Sequence, residues 1–146
     1  MLCFELKGTV HGVRVIDDYG HHPTEIHVTL EAARRFADAG RLIIIFQPHR
    51  YSRTKAFAAQ FASELNLADR AILLEVYAAS EKPIDGVSSR LITSMMTKGE
   101  YIPNFIEVTD SVVADAQPGD VIMTLGAGDV SSLAPIIVEG LSRRFE

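Results

Sequence analysis

The sequence predicts an α/β fold, a three-layer α/β/α sandwich with a mostly parallel sheet of about six strands and an antiparallel strand at its N-terminal edge. Three observations lead to this prediction. Apolar runs without alternation, such as residues 42–46, are typical of strands buried on both faces. Segments with helical apolar spacing separate these runs, which requires parallel pairing through right-handed crossovers. Polar turns follow the runs, as expected at the carboxyl edge of such a sheet.

Composition limits the possible functions. The chain has 146 residues with 47% hydrophobic content, which suits one domain spanning residues 1–146. Its net charge of -5 comes without a basic block, so neither nucleic acid nor a membrane is an expected partner. The single cysteine, Cys3, excludes an internal disulfide and fits a reducing compartment. With no apolar run of spanning length and no secretory leader pattern, a cytoplasmic protein is expected.

The N-terminal part predicts a hairpin followed by a helix. Residues 4–7 alternate like a half-buried strand, and residues 8–12 allow a reversal into a second strand at 13–16. Helical spacing begins at Thr24, and Gly40 is placed to end the helix as its C-cap. The apolar positions that define this helix are Ile26, Leu30, Ala33 and Ala37.

The middle of the chain predicts two further strand and helix pairs. After the buried strand at 42–46, Thr54 is the expected N-cap of a helix. A third buried strand follows at 71–74, and Gly99 is expected to close the next helix. The apolar positions of the two helices are Phe57, Phe61 and Leu65, and Val87, Leu91 and Met95.

The C-terminal part predicts a weak strand at 104–108, a short helix at 110–116 and a last buried strand at 121–125. A turn at 118–120 separates the last two. The final helix begins at Val130, and its other apolar positions are Leu133, Ile137 and Leu141. This order of elements is Rossmann-like, and it places four polar turns at one edge of the sheet. These turns are residues 17–25, 47–54, 75–86 and 126–129.

The turn at residues 17–25 contains an unusually large number of ionisable and hydrogen-bonding side chains for a turn. It reads Asp17-Asp18-Tyr19-Gly20-His21-His22-Pro23-Thr24-Glu25. Pro23 suits the first helical position, because its missing N–H would have no partner there. A structural interpretation, in which Asp18 or His22 caps the helix and the rest is a polar surface turn, stands beside the functional one.

A compact cationic cluster follows the strand at 42–46. Arg50 and Arg53, with His49 beside them, could bind a carboxylate or phosphate, because an arginine fork matches either group. The helix dipole disfavours cations at the N-terminus of a helix, so their presence there favours a role in binding an anion. Two solvated arginines without a ligand are the alternative interpretation.

The remaining motifs are weaker. Gly126-Ala127-Gly128-Asp129 would let the backbone approach a ligand, but the third glycine of a dinucleotide fingerprint is replaced by Ser131. Imidazole and carboxylate groups are common zinc ligands, and the candidates here are His21, His22, Glu25, His27 and His49. Their spacing matches no recognised metal motif, so no metal site is expected. No G-x-x-x-x-G-K-[ST] loop exists to hold the phosphates of ATP.

Four stretches of this chain resemble the C-terminal domain of the Mur ligases. The first is residues 17–26 and the second is Phe46-Gln47-Pro48-His49-Arg50-Tyr51-Ser52-Arg53-Thr54. The others are Val76-Tyr77-Ala78-Ala79 and Gly126-Ala127-Gly128-Asp129-Val130. The first two resemble most closely the branch of the family that joins L-alanine to UDP-N-acetylmuramate. The resemblance covers nearly the whole chain but only about the last third of a family enzyme.

The resemblance implies an ATP-dependent ligase of peptidoglycan precursor synthesis, in which L-alanine attacks an acyl phosphate of the muramate carboxylate. It implies that an absent N-terminal domain holds the UDP sugar and that an absent central domain holds ATP and Mg²⁺. The alanine side would consist of Tyr19, His21, His49, Arg50 and Arg53. The ATP side would consist of Asp17, Asp18 and His22. No catalytic residue and no metal ligand is assigned to this domain alone.

One departure concerns the N-terminus. Family enzymes carry an ATP-binding arginine just before the phenylalanine that matches Phe4, whereas Leu2-Cys3 stand there in this chain. With the other domains also missing, the expectation is an excised domain without ligase activity of its own.

Two other hypotheses belong to different classes. One is a self-sufficient metal-dependent hydrolase that uses Asp17, Asp18, His21, His22 and His49, which stoichiometric zinc or manganese would favour. The other is a binding module for an amino acid or nucleotide, which tight binding by the isolated chain would favour.

Overall fold

The computed structural model of the chain describes residues 4–146, and Leu2 and Cys3 lie outside the described residues. The strands are β1 (Glu5–Val10), β2 (Val13–Asp18), β3 (Leu42–Phe46), β4 (Arg70–Leu73), β5 (Gly99–Tyr101) and β6 (Val121–Leu125). The helices are α1 (Pro23–Ala37), α2 (Tyr51–Leu65), α3 (Ser89–Thr93), α4 (Phe105–Asp115) and α5 (Leu133–Arg144). A 3₁₀ turn over Asp129–Ser132 precedes α5.

The six strands form one sheet in the order β1-β2-β6-β3-β4-β5. Only the β1 and β2 pair is antiparallel; the other neighbours run parallel. The helices α1, α2 and α3 pack on one face of the sheet, and α4 and α5 pack on the other. The predicted fold class is therefore confirmed. Within residues 4–146, no helix is both long and apolar enough to cross a bilayer.

The N-terminal hairpin is also confirmed, with a tighter turn than the five-residue reversal that the glycines suggested. His11 and Gly12 form the turn with φ of 51° and 80°. Positive φ at both central positions is the backbone of a type I′ turn, whose twist matches that of the flanking strands. The strand β2 therefore reaches Asp18 at the carboxyl edge of the sheet.

The segment 104–108 was predicted as a strand, and this prediction was wrong. Asn104 caps α4, and its side chain accepts hydrogen bonds from Ile106 N and Glu107 N at 2.9 and 3.0 Å. An N-cap that satisfies two free N–H groups outweighs the weak strand preference of the residues after it. The edge strand is instead β5, and Gly99 begins it rather than closing a helix.

Two predicted helix ends also differ. The N-cap of α2 is Arg50 rather than Thr54, and the buried Thr54 hydroxyl donates to Arg50 O at 2.8 Å from within the first turn. The C-cap of α1 is Asp38, at φ 51°, rather than Gly40. Gly40 is needed for a different reason, because a Cβ there would lie 1.9 Å from Gly119 O.

The adjacent carboxylates at the end of β2 point to opposite faces of the sheet, as successive side chains of a strand must. Asp17 is buried, and Thr124 Oγ1 on β6 donates to it at 2.6 Å. Asp18 is buried on the α1 face, where it accepts from Gly20 N at 2.6 Å and from Thr29 Oγ1 at 3.5 Å. Burial raises the pKa of both side chains above the ordinary value of 3.8.

Gly40→Ala should destabilise the protein by about 2–3 kcal/mol, because the new Cβ overlaps a backbone carbonyl that has no flexible side chain to yield. Urea denaturation measures the effect as a lower midpoint at unchanged slope. Ala39→Gly, at the exposed neighbouring position, is the matched control and should cost less than about 1 kcal/mol. Equal midpoints for the two variants would contradict the proposed overlap.

Asp17→Asn should remove a pH-dependent loss of stability. Because burial raises the pKa of Asp17, the folded protein binds this proton more tightly than the unfolded chain does. The protonated Asp17 side chain therefore contributes to the free energy of unfolding below pH 3.8, and this contribution is lost as pH rises through the pKa of the folded protein. Asparagine keeps an oxygen that can accept the Thr124 hydrogen bond.

The measurement is the free energy of unfolding of both proteins from acid to neutral pH. The stability of Asp17→Asn relative to wild type should increase with pH across this window. Asp85→Asn, in an exposed loop, controls for the change in net charge. Parallel profiles for wild type and Asp17→Asn would count against a buried, proton-retaining Asp17.

Candidate functional site

The four polar turns meet along one edge of the sheet, as the sequence predicted. Backbone hydrogen bonds extend the parallel ladder past the strand ends, where Gly126 N donates to Asp18 O at 3.0 Å and Gln47 N donates to Leu125 O at 2.9 Å. The turns after β2, β6 and β3 are therefore held side by side. A bridge between His49 and Tyr77 adds the loop after β4.

The cationic cluster is held by the backbone on both sides. Arg53 Nη1 lies 3.1 Å from His49 Nδ1, which places the guanidinium directly against the imidazole. Arg50 adopts φ 73°, a region that non-glycine residues rarely occupy. Its N–H donates to Tyr77 O at 2.7 Å, and its carbonyl accepts from Thr54 N and from Thr54 Oγ1. An unusual conformation fixed in this way is typical of functional turns.

His21 and Tyr19 complete one wall of this region. The His21 ring centroid lies 5.6 Å from that of His49, and His21 Nδ1 lies 3.1 Å from Tyr19 O. The Tyr19 side chain is 66% exposed. These residues border an open depression of about 420 Å³. It is lined by Asp18, Tyr19, Gly20, His21, Thr24, Glu25, Val28 and Thr29. His21, His49 and Arg53 thus form one continuous group beside the cavity.

The residues predicted for the nucleotide side do not form such a group. Asp17 and Asp18 lie on opposite faces of the sheet. His22 caps α1, where its Nδ1 accepts from Thr24 N at 3.3 Å and its own N–H donates to Glu25 Oε1 at 3.2 Å. Its ring packs against Phe57 of α2, with centroids 5.2 Å apart. The structural interpretation of His22 as a cap is confirmed.

The separation of these side chains also bears on the hydrolase hypothesis. Its five residues do not form one group, because Asp17 and Asp18 point to opposite faces of the sheet. Nowhere in residues 4–146 do three or more His, Cys, Asp or Glu side chains form a group able to hold a metal ion.

Tyr77 is the main site residue that sequence reasoning left unassigned. Its ring stacks on that of His49, with centroids 5.6 Å apart and an angle of 17° between the planes. Glu81, from the same loop, accepts a hydrogen bond from Ser52 N at 3.1 Å and another from the Ser52 hydroxyl. The sequence signal was present, because both residues lie in one of the four polar turns, but nothing in the sequence indicated which neighbours they meet.

The glycine-rich turn after β6 is filled by the protein itself. A Cβ at Gly128 would lie 2.5 Å from Gln47 Oε1 and 2.6 Å from Tyr77 Cγ, and one at Gly126 would lie 2.8 Å from Gln47 O. Gln47 Nε2 donates to Asp129 Oδ1 at 2.6 Å, and Gln47 Oε1 accepts from Val130 N at 3.1 Å. These glycines therefore allow close packing of Gln47 and Tyr77.

The charge of the site follows from these contacts. Burial lowers the pKa of His49, and charge interactions with Arg53, His21 and Arg50 lower it further. A neutral imidazole can accept a hydrogen bond from Arg53, whose guanidinium only donates. The two arginines then supply the positive charge of the site. Hydrogen bonds from Ser52 lower the pKa of Glu81, which keeps this carboxylate ionised across the α2 N-terminus.

Comparison with known proteins identifies the family of the chain. Residues 4–128 match the family model described as Mur ligase, glutamate ligase domain. The chain is 52% identical to the UDP-N-acetylmuramate–L-alanine ligase of Mycobacterium ulcerans over 147 aligned residues. This alignment covers 98% of the chain but only 30% of the relative. The chain thus spans about a third of the length of the curated relatives that it matches.

Solved structures give the same result. The UDP-N-acetylmuramate-alanine ligase of Thermotoga maritima superimposes with a TM-score of 0.76 at 25% identity, over 96% of this chain and 30% of that one. A murein peptide ligase from Psychrobacter arcticus superimposes with a TM-score of 0.78 at 22% identity, over 94% of this chain and 29% of that one, which supports the fold. The chain belongs to the Mur ligase family, and the part of that family which it represents is the glutamate ligase domain.

Proposed function

We propose that residues 1–146 act as the C-terminal domain of a cytoplasmic, ATP-dependent UDP-N-acetylmuramate–L-alanine ligase, which makes a precursor of peptidoglycan. In this proposal the domain positions L-alanine and closes over ATP, while the UDP sugar, ATP and Mg²⁺ are held mainly by polypeptide outside this sequence. The observation that carries the proposal is the contact between Arg53 and His49 beside His21, in a chain 52% identical to a ligase of that name.

The cationic cluster suits the carboxylate of a free amino acid. An arginine pair can bind a carboxylate through several charge-assisted hydrogen bonds, and these fix orientation as well as affinity. Arg50 and Arg53 lie within one turn of each other at the start of α2, and the backbone around Arg50 is fixed by its bonds to Tyr77 and Thr54. A carboxylate held there would leave the amino group of the ligand free to face the depression beside Tyr19 and His21.

The role of the domain in the reaction is orientation. ATP would phosphorylate the muramate carboxylate, which gives an acyl phosphate and ADP. The amine of alanine would then attack the acyl carbon, lose a proton and expel phosphate as the amide bond forms. Arg50, Arg53 and His49 would hold the amine in line for this attack, which converts an encounter of two molecules into a pre-oriented step. Closure of Tyr19 and His21 over the site would exclude water that would otherwise hydrolyse the acyl phosphate.

The residues assigned to the nucleotide side lie in two separate places. Asp18 lines the depression beside Tyr19, and His22 sits at the adjacent helix start, so both are near the amino-acid side. Asp17 lies on the other face of the sheet, bonded to Thr124. If Asp17 serves ATP, we expect it to act by supporting β2 and β6 rather than by contact.

A chimera tests the proposal. The matching C-terminal part of the Mycobacterium ulcerans ligase is replaced by this chain, and phosphate release and product mass are measured with ATP, UDP-N-acetylmuramate and L-alanine. We expect the chimera to form the alanyl product and the isolated chain to release no phosphate above a heat-killed control. Activity of the isolated chain would contradict the proposal, as would a chimera that binds ATP like its parent but forms no product.

Arg50→Ala and Arg53→Ala in the chimera should each raise the KM for L-alanine by about 10- to 100-fold, the cost of losing a hydrogen bond to a charged group. The KM values for ATP and UDP-N-acetylmuramate should stay within about twofold. Arg35→Ala is the matched control, because Arg35 is an exposed arginine on α1. A rise in the KM for ATP instead would assign the arginine pair to phosphate.

A further inference from the structure

Tyr77 holds His49 from two directions. Its ring stacks on the imidazole, with planes only 17° apart. Its backbone bonds to the residues on either side of His49: Tyr77 N donates to Pro48 O at 2.8 Å, and Tyr77 O accepts from Arg50 N at 2.7 Å. The position and the plane of the His49 ring therefore depend on Tyr77.

Tyr77 is itself backed by the turn after β6. The absence of a side chain at Gly128 makes room for the Tyr77 ring, since a Cβ there would come within 2.6 Å of it. Gln47 fills the same space, and its amide is fixed by Asp129 and by Val130 N. A line of contacts thus runs from Gly128 through Tyr77 to His49.

The end of this line is a hydrogen bond with a defined direction. A guanidinium has five N–H donors and no acceptor, so His49 Nδ1 must accept from Arg53. An imidazole that accepts at Nδ1 is neutral and carries its proton on Nε2. In this form His49 offers one N–H donor to a ligand and adds no positive charge against Arg53.

We propose that Tyr77 is a positioning residue for the amino-acid subsite, which keeps His49 in the neutral, Nε2-protonated form that accepts from Arg53 and donates to the ligand carboxylate. Only the identity of the ligand rests on the proposed function. The arrangement of Gly128, Tyr77, His49 and Arg53 is a property of this chain. Because Tyr77 acts through His49, it need not touch the substrate.

The charged groups around His49 fix the direction of the expected change. Arg53 and Arg50 lie on α2 and its cap, His21 comes from the turn after β2, and Glu81 comes from the loop after β4. Burial is the largest cause of the lowered pKa of His49, charge interactions with Arg53, His21 and Arg50 lower it further, and the interaction with Glu81 raises it. Removal of the Tyr77 ring exposes His49, so its pKa should rise towards the ordinary value of 6.5.

The test is ¹⁵N NMR of the histidines in the chain, with assignment of His49 by its replacement. In wild type and in Tyr77→Phe, which keeps the ring, we expect the Nε2–H form and a pKa below 6.5. In Tyr77→Ala, and in Gly128→Ala, whose new Cβ would first meet Gln47 and the Tyr77 ring, we expect mixed tautomers and a higher pKa. Wild-type behaviour of Tyr77→Ala would overturn the proposal, and so would a Tyr77→Phe protein that behaves like Tyr77→Ala.

Kinetics of the chimera provide the functional half of the test. Tyr77→Ala and Gly128→Ala should raise the KM for L-alanine about tenfold with kcat nearly unchanged, and Tyr77→Phe should restore the wild-type value. If His49 changes form but no KM changes, the assignment of the ligand fails, and with it the link to the amino-acid subsite. If the chimera is active and His49 does not respond to Tyr77→Ala, the positioning role fails while the proposed function stands.

Discussion

The parallel pairing of β6 with both β2 and β3 is the constraint on which the site depends. This last strand in the chain lies in the middle of the sheet, between the two strands whose turns carry His21 and His49. The ladder continues past the strands through Gly126 and Gln47, so the turns are fixed relative to each other by backbone hydrogen bonds. In this arrangement the ring centroids of His21 and His49 lie 5.6 Å apart.

Much of the fold was predictable because a strand that is buried on both faces has a continuous apolar sequence. The segments that became β3 and β6 are continuous apolar runs, and the layers follow from the helices between them. The errors arose where a single cap or contact decides a boundary. Asn104 starts a helix within residues that favour a strand, and Gly40 is required by the carbonyl of Gly119, which is distant in the sequence.

The site was predictable in part, because charged and hydrogen-bonding side chains are concentrated in the turns at the carboxyl edge of the sheet. Arg50, Arg53, His49 and His21 are identified by residue type and by position after a strand, and the structure brings His21, His49 and Arg53 together. The contacts of Tyr77 were not predictable, because they join three separate turns. The opposite directions of Asp17 and Asp18 follow from strand alternation alone, so their grouping on one side of a ligand could have been questioned from the sequence.

The central place of β6 has a consequence for synthesis of the protein. Thr124 and Asp17, which meet across β2 and β6, are 107 residues apart. A chain emerging from the ribosome therefore presents β2 and β3 long before the strand that separates them is available. The interval favours temporary pairing of those two apolar strands with each other or with other chains, a hazard that chaperones counter.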